Sequence, residues 1–499
     1  MMQSKEVIVI GSGVAGLSAA CYLAKAGYKV TILEKNATPG GRARQYEANG
    51  FTFDMGPSWY WMPEVFEKFY QDFGHTTSDF YELVRLDPSY QVITRSGETV
   101  PIPANMGELE ALFEKYEIGS AQKLRKFLKE AAYKYEVGIN DLVYKPGLSY
   151  AEFADLRLLK GLLKMDVLGN MKTHVSKTVQ HPFLKELLEF PVLFLGALPE
   201  NTPALYSLMN YADMELGTYY PQGGMFKFIE AFVSIAKELG VEIKYNEDVI
   251  KVVAKGDKIT HVVTSSNNYE ADSIICAGDY KHFDQEVLDP SQRSYSHKYW
   301  ENRKMAPSCL LYYVGLNKRV KHLLHHNLFF DTDFNLHGKE IYTTPKWPEN
   351  PLFYASAPSK TDPTVAPEGC ENIFLLIPIA PGLEGDTEEV REKYFNLMMK
   401  RMEAISGEEI QSHVVYKRTY SVADFKNDYY AFKGNAYGLA NTLMQTANLK
   451  PSLKSKKLKN LYYAGQLTVP GPGVPPSIIS GNVAATQVIK ETGPLTDRL

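Results

Sequence analysis

The chain has 499 residues, 44% of them hydrophobic, which is long enough for two or three domains with sizeable cores. Its 54 basic and 58 acidic side chains leave a net charge of −4, so no overall field draws in nucleic acid, and binding to it is not expected. Cys21, Cys276, Cys309 and Cys370 lie far apart without C-x-x-C spacing, which argues against a disulfide framework, a zinc ribbon or a redox pair and fits a reducing, intracellular setting.

The first element begins almost at once, leaving no room for a signal peptide, so a cytoplasmic location is expected. The β-branched run Val7-Ile8-Val9-Ile10 meets Gly11, Gly13 and Gly16 at G-x-G-x-x-G spacing. A helical stretch follows to Gly27, then a second strand from Lys29 to Glu34. Together these make a βαβ unit in which the glycines allow a tight turn, close approach of a phosphate, and close helix–strand packing. The free N–H groups of the helix start point at a pyrophosphate, and Glu34 stands where a carboxylate accepts from a ribose hydroxyl. Pro39-Gly40-Gly41-Arg42 adds a glycine pair and an arginine that can lie along a pyrophosphate, which favours FAD over a nicotinamide cofactor. Phe51 to Asp54 alternates like a strand and ends at Gly56-Pro57, a turn suited to the isoalloxazine ring.

Ser58-Trp59-Tyr60-Trp61 offers either a wall over that ring or a core corner, and Glu64 to Phe73 reads as a helix. Residues 81 to 103 read as short strands opening a second sheet, and 106 to 212 as helical. Within the latter, Leu124, Phe127, Leu128, Ala131 and Tyr135 recur at helical spacing. In Ala151 to Thr173, Arg157, Lys160 and Lys164 fall on one arc opposite Leu158, Leu159, Leu162, Leu163 and Met165. A basic stripe beside a leucine face suits a membrane surface, although a core helix with solvated lysines has the same pattern. Crossing a bilayer takes about 20 consecutive apolar residues. Phe190 to Leu198, the most apolar stretch, is short and carries Pro191 and Gly196, so no membrane span is expected.

Gly223-Gly224-Met225 leads into a helix (Phe226 to Leu239), a strand (Val241 to Tyr245), a hairpin (Val249 to Val253 with His261 to Thr264) and a parallel strand (Ser273 to Ala277). Strands return at Ser308 to Leu316, Leu352 to Ser356 and Asn372 to Ile379. His322, His325 and His326 have no carboxylate or cysteine at ligand spacing, so metal binding is not expected. Leu461 to Ala464 reads as a buried strand, and Pro475-Pro476 precede a helix from Ser477 to Lys490 whose dipole would favour negative charge on a reduced flavin.

The run Lys5 to Pro57, the Gly223-Gly224-Met225 turn and GQLTVPGPGVPPSIISG from Gly465 to Gly481 resemble the bacterial and fungal type of phytoene desaturase, within the flavin amine-oxidase superfamily, and especially those of carotenoid-producing flavobacteria. The resemblance covers almost the whole chain. It implies an α/β fold in which a Rossmann-type FAD-binding domain (1–80, 220–298 and 410–499) is interleaved with an α+β substrate domain (81–105 and 299–409) and a helical, membrane-associating subdomain (106–219). It implies FAD held by Gly11, Gly13, Ala15, Gly16, Glu34, Lys35, Gly41, Arg42, Gly56, Pro57, Ser58, Val249, Gly465, Gln466, Gly473, Val474 and Pro475. Val249 would clasp the adenine through its backbone. Gln466 departs from the acid common at its position, which weakens a ribityl role there.

The implied reaction is desaturation of a carotenoid precursor, phytoene towards lycopene, by hydride transfer to flavin N5. An apolar tunnel would align the polyene, and the chain would sit peripherally on the inner face of the membrane. With no second nucleotide motif, oxygen or a membrane quinone would reoxidise the flavin. No residue of the sequence stands out as the proton acceptor. A later-step carotenoid desaturase, a carotenoid isomerase and an amine oxidase share the scaffold, as does the flavin-free prenyl-group escort protein. The intact glycine fingerprint argues against the last.

Overall fold

The computed structural model describes residues 5–149, 152 and 169–493. A five-stranded parallel sheet runs in the order Leu461–Tyr463, Ser273–Cys276, Glu6–Ile10, Lys29–Leu33, Glu242–Lys244. Val7 to Ile10 are buried on both faces, which is why the first strand reads as an unbroken apolar run and takes the centre of the sheet. Helix Val14–Lys25 follows it and packs against the C-terminal helix Val474–Thr492. A Cβ on Gly481 would lie 2.4 Å from the Ala15 carbonyl oxygen, so this crossing needs glycine. Ser18 Oγ seals the contact by donating to the Ile478 carbonyl at 2.7 Å. An antiparallel sheet of Val249–Lys255, Lys258–Thr264 and Asn268–Glu270 flanks this unit.

The second large sheet has seven strands, ordered Val414–Tyr420, Ser308–Leu316, Glu371–Ile379, Phe353–Ser356, His326–Phe330, Tyr90–Thr94, Thr99–Ile102. All of Ser308–Leu316 is buried, and its two faces enter different cores. Cys309, Leu311 and Tyr313 face a core shared with Phe51, Phe53, Leu184 and Phe190, whereas Leu310, Tyr312 and Val314 pack toward Phe395 and Met398 of helix Glu388–Ser406. The sheet is therefore sandwiched between the helical region and helix Glu388–Ser406, and the helical-region side adjoins the Gly56 loop.

Most expected elements fall where the residue pattern put them, including helix Ser120–Val137 with Leu124, Phe127, Leu128, Ala131 and Tyr135 buried. Two expectations are corrected. Val414–Tyr420 was assigned to the nucleotide unit by the boundary at 410, but it pairs antiparallel with Ser308–Leu316 as an edge of the seven-stranded sheet. Leu83–Arg85 does not join that sheet either; it pairs with Tyr219–Pro221. Both are short or half-exposed segments whose partners lie far away in sequence. Arg157, Lys160, Lys164 and the opposing leucines lie outside the described residues. No helix among the described residues is long and apolar enough to cross a membrane.

Candidate dinucleotide-binding site

At the carboxyl edge of the parallel sheet, Gly13 caps helix Val14–Lys25 without any side-chain cap or acid in the first turn. The first intrahelical bond runs from Leu17 N to the Gly13 carbonyl at 2.9 Å. The N–H groups of Val14, Ala15 and Gly16 therefore have no acceptor within the helix, which is the arrangement that receives an anion. The loop carrying Arg42 folds back onto this turn. Gly40 N donates to the Ser12 carbonyl at 2.9 Å, and a Cβ on Gly41 would stand 3.2 Å from the Gly13 Cα. Gly56 passes even closer: its Cβ would lie 1.9 Å from the Arg42 carbonyl oxygen. Gly41 and Gly56, two of the expected cofactor residues, are thus glycines because backbones meet there.

Arg42 is the charged centre of the groove. Its Nη2 donates to the Asn435 carbonyl at 3.4 Å, and its guanidinium lies 5.1 Å from the Tyr429 ring centroid. With its amide oxygen turned toward the arginine, Gln466 accepts from Nη2 at 2.9 Å and from Nη1 at 3.3 Å. Burial lowers the guanidinium pKa, and Asp279 opposes that shift. Arg42 Nε is buried with no hydrogen-bond partner among the described residues. An orphaned cationic donor beside a bare helix start and a glycine cradle fits the pyrophosphate of FAD, which would complete this set.

Glu34 is buried and its four acceptor positions are in use. Oε2 accepts from Ser12 N at 2.8 Å and Ser12 Oγ at 2.7 Å; Oε1 accepts from Asn36 N at 2.8 Å and Asn36 Nδ2 at 2.9 Å. The carboxylate thus shapes the glycine turn, and a ribose hydroxyl would take the place of the Ser12 or Asn36 side chain. Glu247 N donates to the Glu34 carbonyl at 2.8 Å, which brings the chain leading to Asp248 and Val249 alongside Glu34. Lys35 Nζ donates to the Asn427 carbonyl and lies 3.7 Å over the Tyr430 ring.

Beyond Gly56 and Pro57, Ser58 lines a small cavity of about 20 Å³ with Asp54, His325 and Asn372. Trp59 stacks on the His326 ring at 4.2 Å, and His326 Nδ1 is 2.6 Å from the Tyr354 hydroxyl. At the other end, Gly465 N donates to Ser480 Oγ at 2.8 Å. The C-terminal helix starts at Val474 with Gly473 as its cap, earlier than the expected start at Ser477. Pro475 and Pro476 lie inside the first turn and carry no N–H, and Ser477 N is spent on the Gly473 carbonyl at 3.0 Å. This helix start therefore presents the Val474 N–H and a dipole, rather than a set of donors.

Sequence reasoning missed Asp279, Tyr429, Tyr430 and Asn435. Asp279 had a signal, since it follows the strand Ser273–Cys276 at the ligand-binding edge. The other three belong to a stretch with no periodicity or motif.

The chain matches the model of the flavin containing amine oxidoreductase family over residues 14–489, and it belongs to that family. It is 38% identical to the carotenoid 3,4-desaturase of Haloarcula japonica over 98% of this chain and 99% of the relative. It is 29% identical to the zeta-carotene-forming phytoene desaturase of Myxococcus xanthus over 98% and 94%. Among solved structures, an oxidoreductase from Methanosarcina mazei superposes with a TM-score of 0.62 at 14% identity, covering 97% of this chain and 100% of the other. Cyclohexylamine oxidase from Brevibacterium oxydans superposes at 0.59 with 15% identity over 98% and 100%. The protein is a flavoprotein oxidoreductase with FAD as its cofactor.

Proposed function

We propose that the protein is a carotenoid desaturase that introduces double bonds into a long polyene. The observation that carries this reading is the near full-length similarity to curated carotenoid desaturases, 38% over 98% of the chain in one case. Bound FAD supplies the hydride acceptor. The chain's own task is to hold the hydrocarbon in register and keep the site dry. The apolar wall beside the Gly56 loop suits it: Trp59, Tyr90, Phe190, Phe330, Tyr354 and Phe374 share one core. Such a substrate resides in the bilayer, so we place the protein peripherally on the inner face of the membrane, with the basic segment 151–173 as its contact. Oxygen or a quinone would serve as the external electron acceptor.

Phytoene is the substrate expected from the sequence motifs. The higher identity to a 3,4-desaturase supports a second reading, in which the polyene is already conjugated when it arrives. Each new double bond lengthens conjugation and shifts absorption to the red, so one assay separates the two. FAD-loaded protein is incubated under air, without NADPH, with phytoene or with a conjugated carotenoid in liposomes. Coloured product from phytoene supports the first reading, and a red shift with the conjugated carotenoid alone supports the second. No shift with either substrate would sink the desaturase assignment.

A further inference from the structure

Residues 427–435 cross the carboxyl edge of the parallel sheet, where ligands of open α/β sheets bind, and touch the segments that follow three of its strands. Lys35, after the strand Lys29–Leu33, donates to the Asn427 carbonyl. Asp428 pairs with Arg44, and the Tyr429 ring lies under both Arg42 and Arg44 at 5.1 Å. Phe432 N donates to Asp279 Oδ2 at 3.0 Å, after the strand Ser273–Cys276. The Asn435 carbonyl accepts from Arg42, and its side chain meets Gln466, after the strand Leu461–Tyr463.

Tyr430 is the keystone of this strap. Lys35 Nζ sits 3.7 Å from its ring centroid, and the His282 ring stacks on it at 3.9 Å and 12°. Its hydroxyl donates to Asp248 Oδ2 at 2.6 Å, directly before Val249. One side chain thereby ties together the two elements expected to hold the adenosine half of FAD. Tyr430 does so at φ +52° and Lys433 at φ +55°, left-handed backbone that side chains other than glycine adopt only when surrounding contacts impose it. An open depression of about 240 Å³ lined by His282, Tyr430, Phe432 and Lys433, but by neither Lys35 nor Asp248, adjoins the ring.

We infer that the 427–435 strap is a third, unassigned part of the FAD site, and that Tyr430 is a latch at its adenosine end which swings toward the adjoining depression when the cofactor enters or leaves. The inference rests on the dinucleotide site alone and is independent of the substrate. A gate of this kind limits both directions of exchange, so its removal accelerates both.

The test uses Tyr430→Gly, which removes the ring and suits the left-handed backbone, and Tyr430→Phe, which loses only the bond to Asp248. Release is followed as recovery of free-flavin fluorescence after dilution of holoprotein, and association as its quenching on mixing FAD with apoprotein. Both rates are expected to rise about tenfold in Tyr430→Gly, with an intermediate rise in Tyr430→Phe. Unchanged rates in either variant overturn the latch. Faster release with unchanged association also overturns it, because Tyr430 would then be an ordinary contact. Should the glycine variant fail to fold, the phenylalanine variant alone decides by the same criteria. Failure of the dinucleotide site itself would look different, since the parent protein would then carry no flavin.

Discussion

Asp213 is a buried carboxyl held by hydroxyl donors. It is 1% exposed and accepts from Tyr90 Oη at 2.7 Å and Thr218 Oγ1 at 3.3 Å, while Thr218 Oγ1 accepts from Trp61 Nε1 at 2.8 Å. Burial pushes its carboxyl up to about 7, with the two hydroxyls pulling the other way. In the unfolded chain the same group titrates near about 3.9. Between those values the folded protein holds a proton that the unfolded chain has released. Its contribution to stability is therefore complete below about pH 4 and is lost as pH rises through about 7. Asp213→Asn carries no charge at any pH, so its melting temperature should fall less than the parent's across that window. Asp54 and Glu189, pushed up to about 6 and about 7 by burial, keep the same sign in the variant, so the slope should shrink rather than vanish. Thermal melts at a series of pH values check this, and parallel curves would remove Asp213 from the account.

At the scale of elements, one carboxylate joins the hairpin Gln45–Asp54 to helix Lys227–Glu238. Asp54 Oδ2 accepts from Met225 N at 2.7 Å and Oδ1 from Phe226 N at 3.0 Å, two donors in the turn that leads into the helix. The helix buries Phe228, Ile229, Phe232 and Ile235 against the parallel sheet's core, and this turn sets its entry angle. Asp54→Ala leaves both N–H groups without acceptors, which costs about 1–3 kcal/mol for a buried donor. Asp54→Asn keeps one acceptor and should lose less. Denaturant midpoints of the two variants test this ranking. If Asp54→Ala is no less stable than Asp54→Asn, the carboxylate is not what anchors the helix.

For the whole molecule, the seven-stranded sheet has apolar cores on both faces, and the core on one face continues into the helical region around Leu184 and Phe190. A polyene drawn from a bilayer would enter from that side. The proposed membrane contact is the basic segment with Arg157, Lys160 and Lys164, which lies outside the described residues. Basic side chains near an anionic surface contribute roughly 1 kcal/mol each. Replacing all three by glutamine should lower co-sedimentation with anionic liposomes while leaving flavin content unchanged. Equal sedimentation of variant and parent would remove the membrane role of the segment and leave the expectation of an ordinary core pattern with solvated lysines.

The βαβ unit, the glycine cradle and the five-stranded parallel sheet were legible in the residues because each depends on local pattern, whereas the seven-stranded sheet was legible only in part, since neither His326–Phe330 nor Val414–Tyr420 was expected as a strand. A β-branched run, a G-x-G-x-x-G turn and strict alternation state their geometry within a few residues of one another. Arg42 was legible as a cofactor residue for the same reason, standing directly after Gly40-Gly41. Of what surrounds Arg42, Gln466 was expected at the site from the C-terminal motif, but Tyr429 and Asn435 were not, because they arrive from hundreds of residues away and neither sits in a periodic stretch. The edge strand Val414–Tyr420 escaped for a related reason: only pairing with Ser308–Leu316 distinguishes its half-exposed residues from a loop. Local pattern can specify a strand or a turn, but the partner that satisfies a distant backbone or a buried charge exists only once the chain has closed around it.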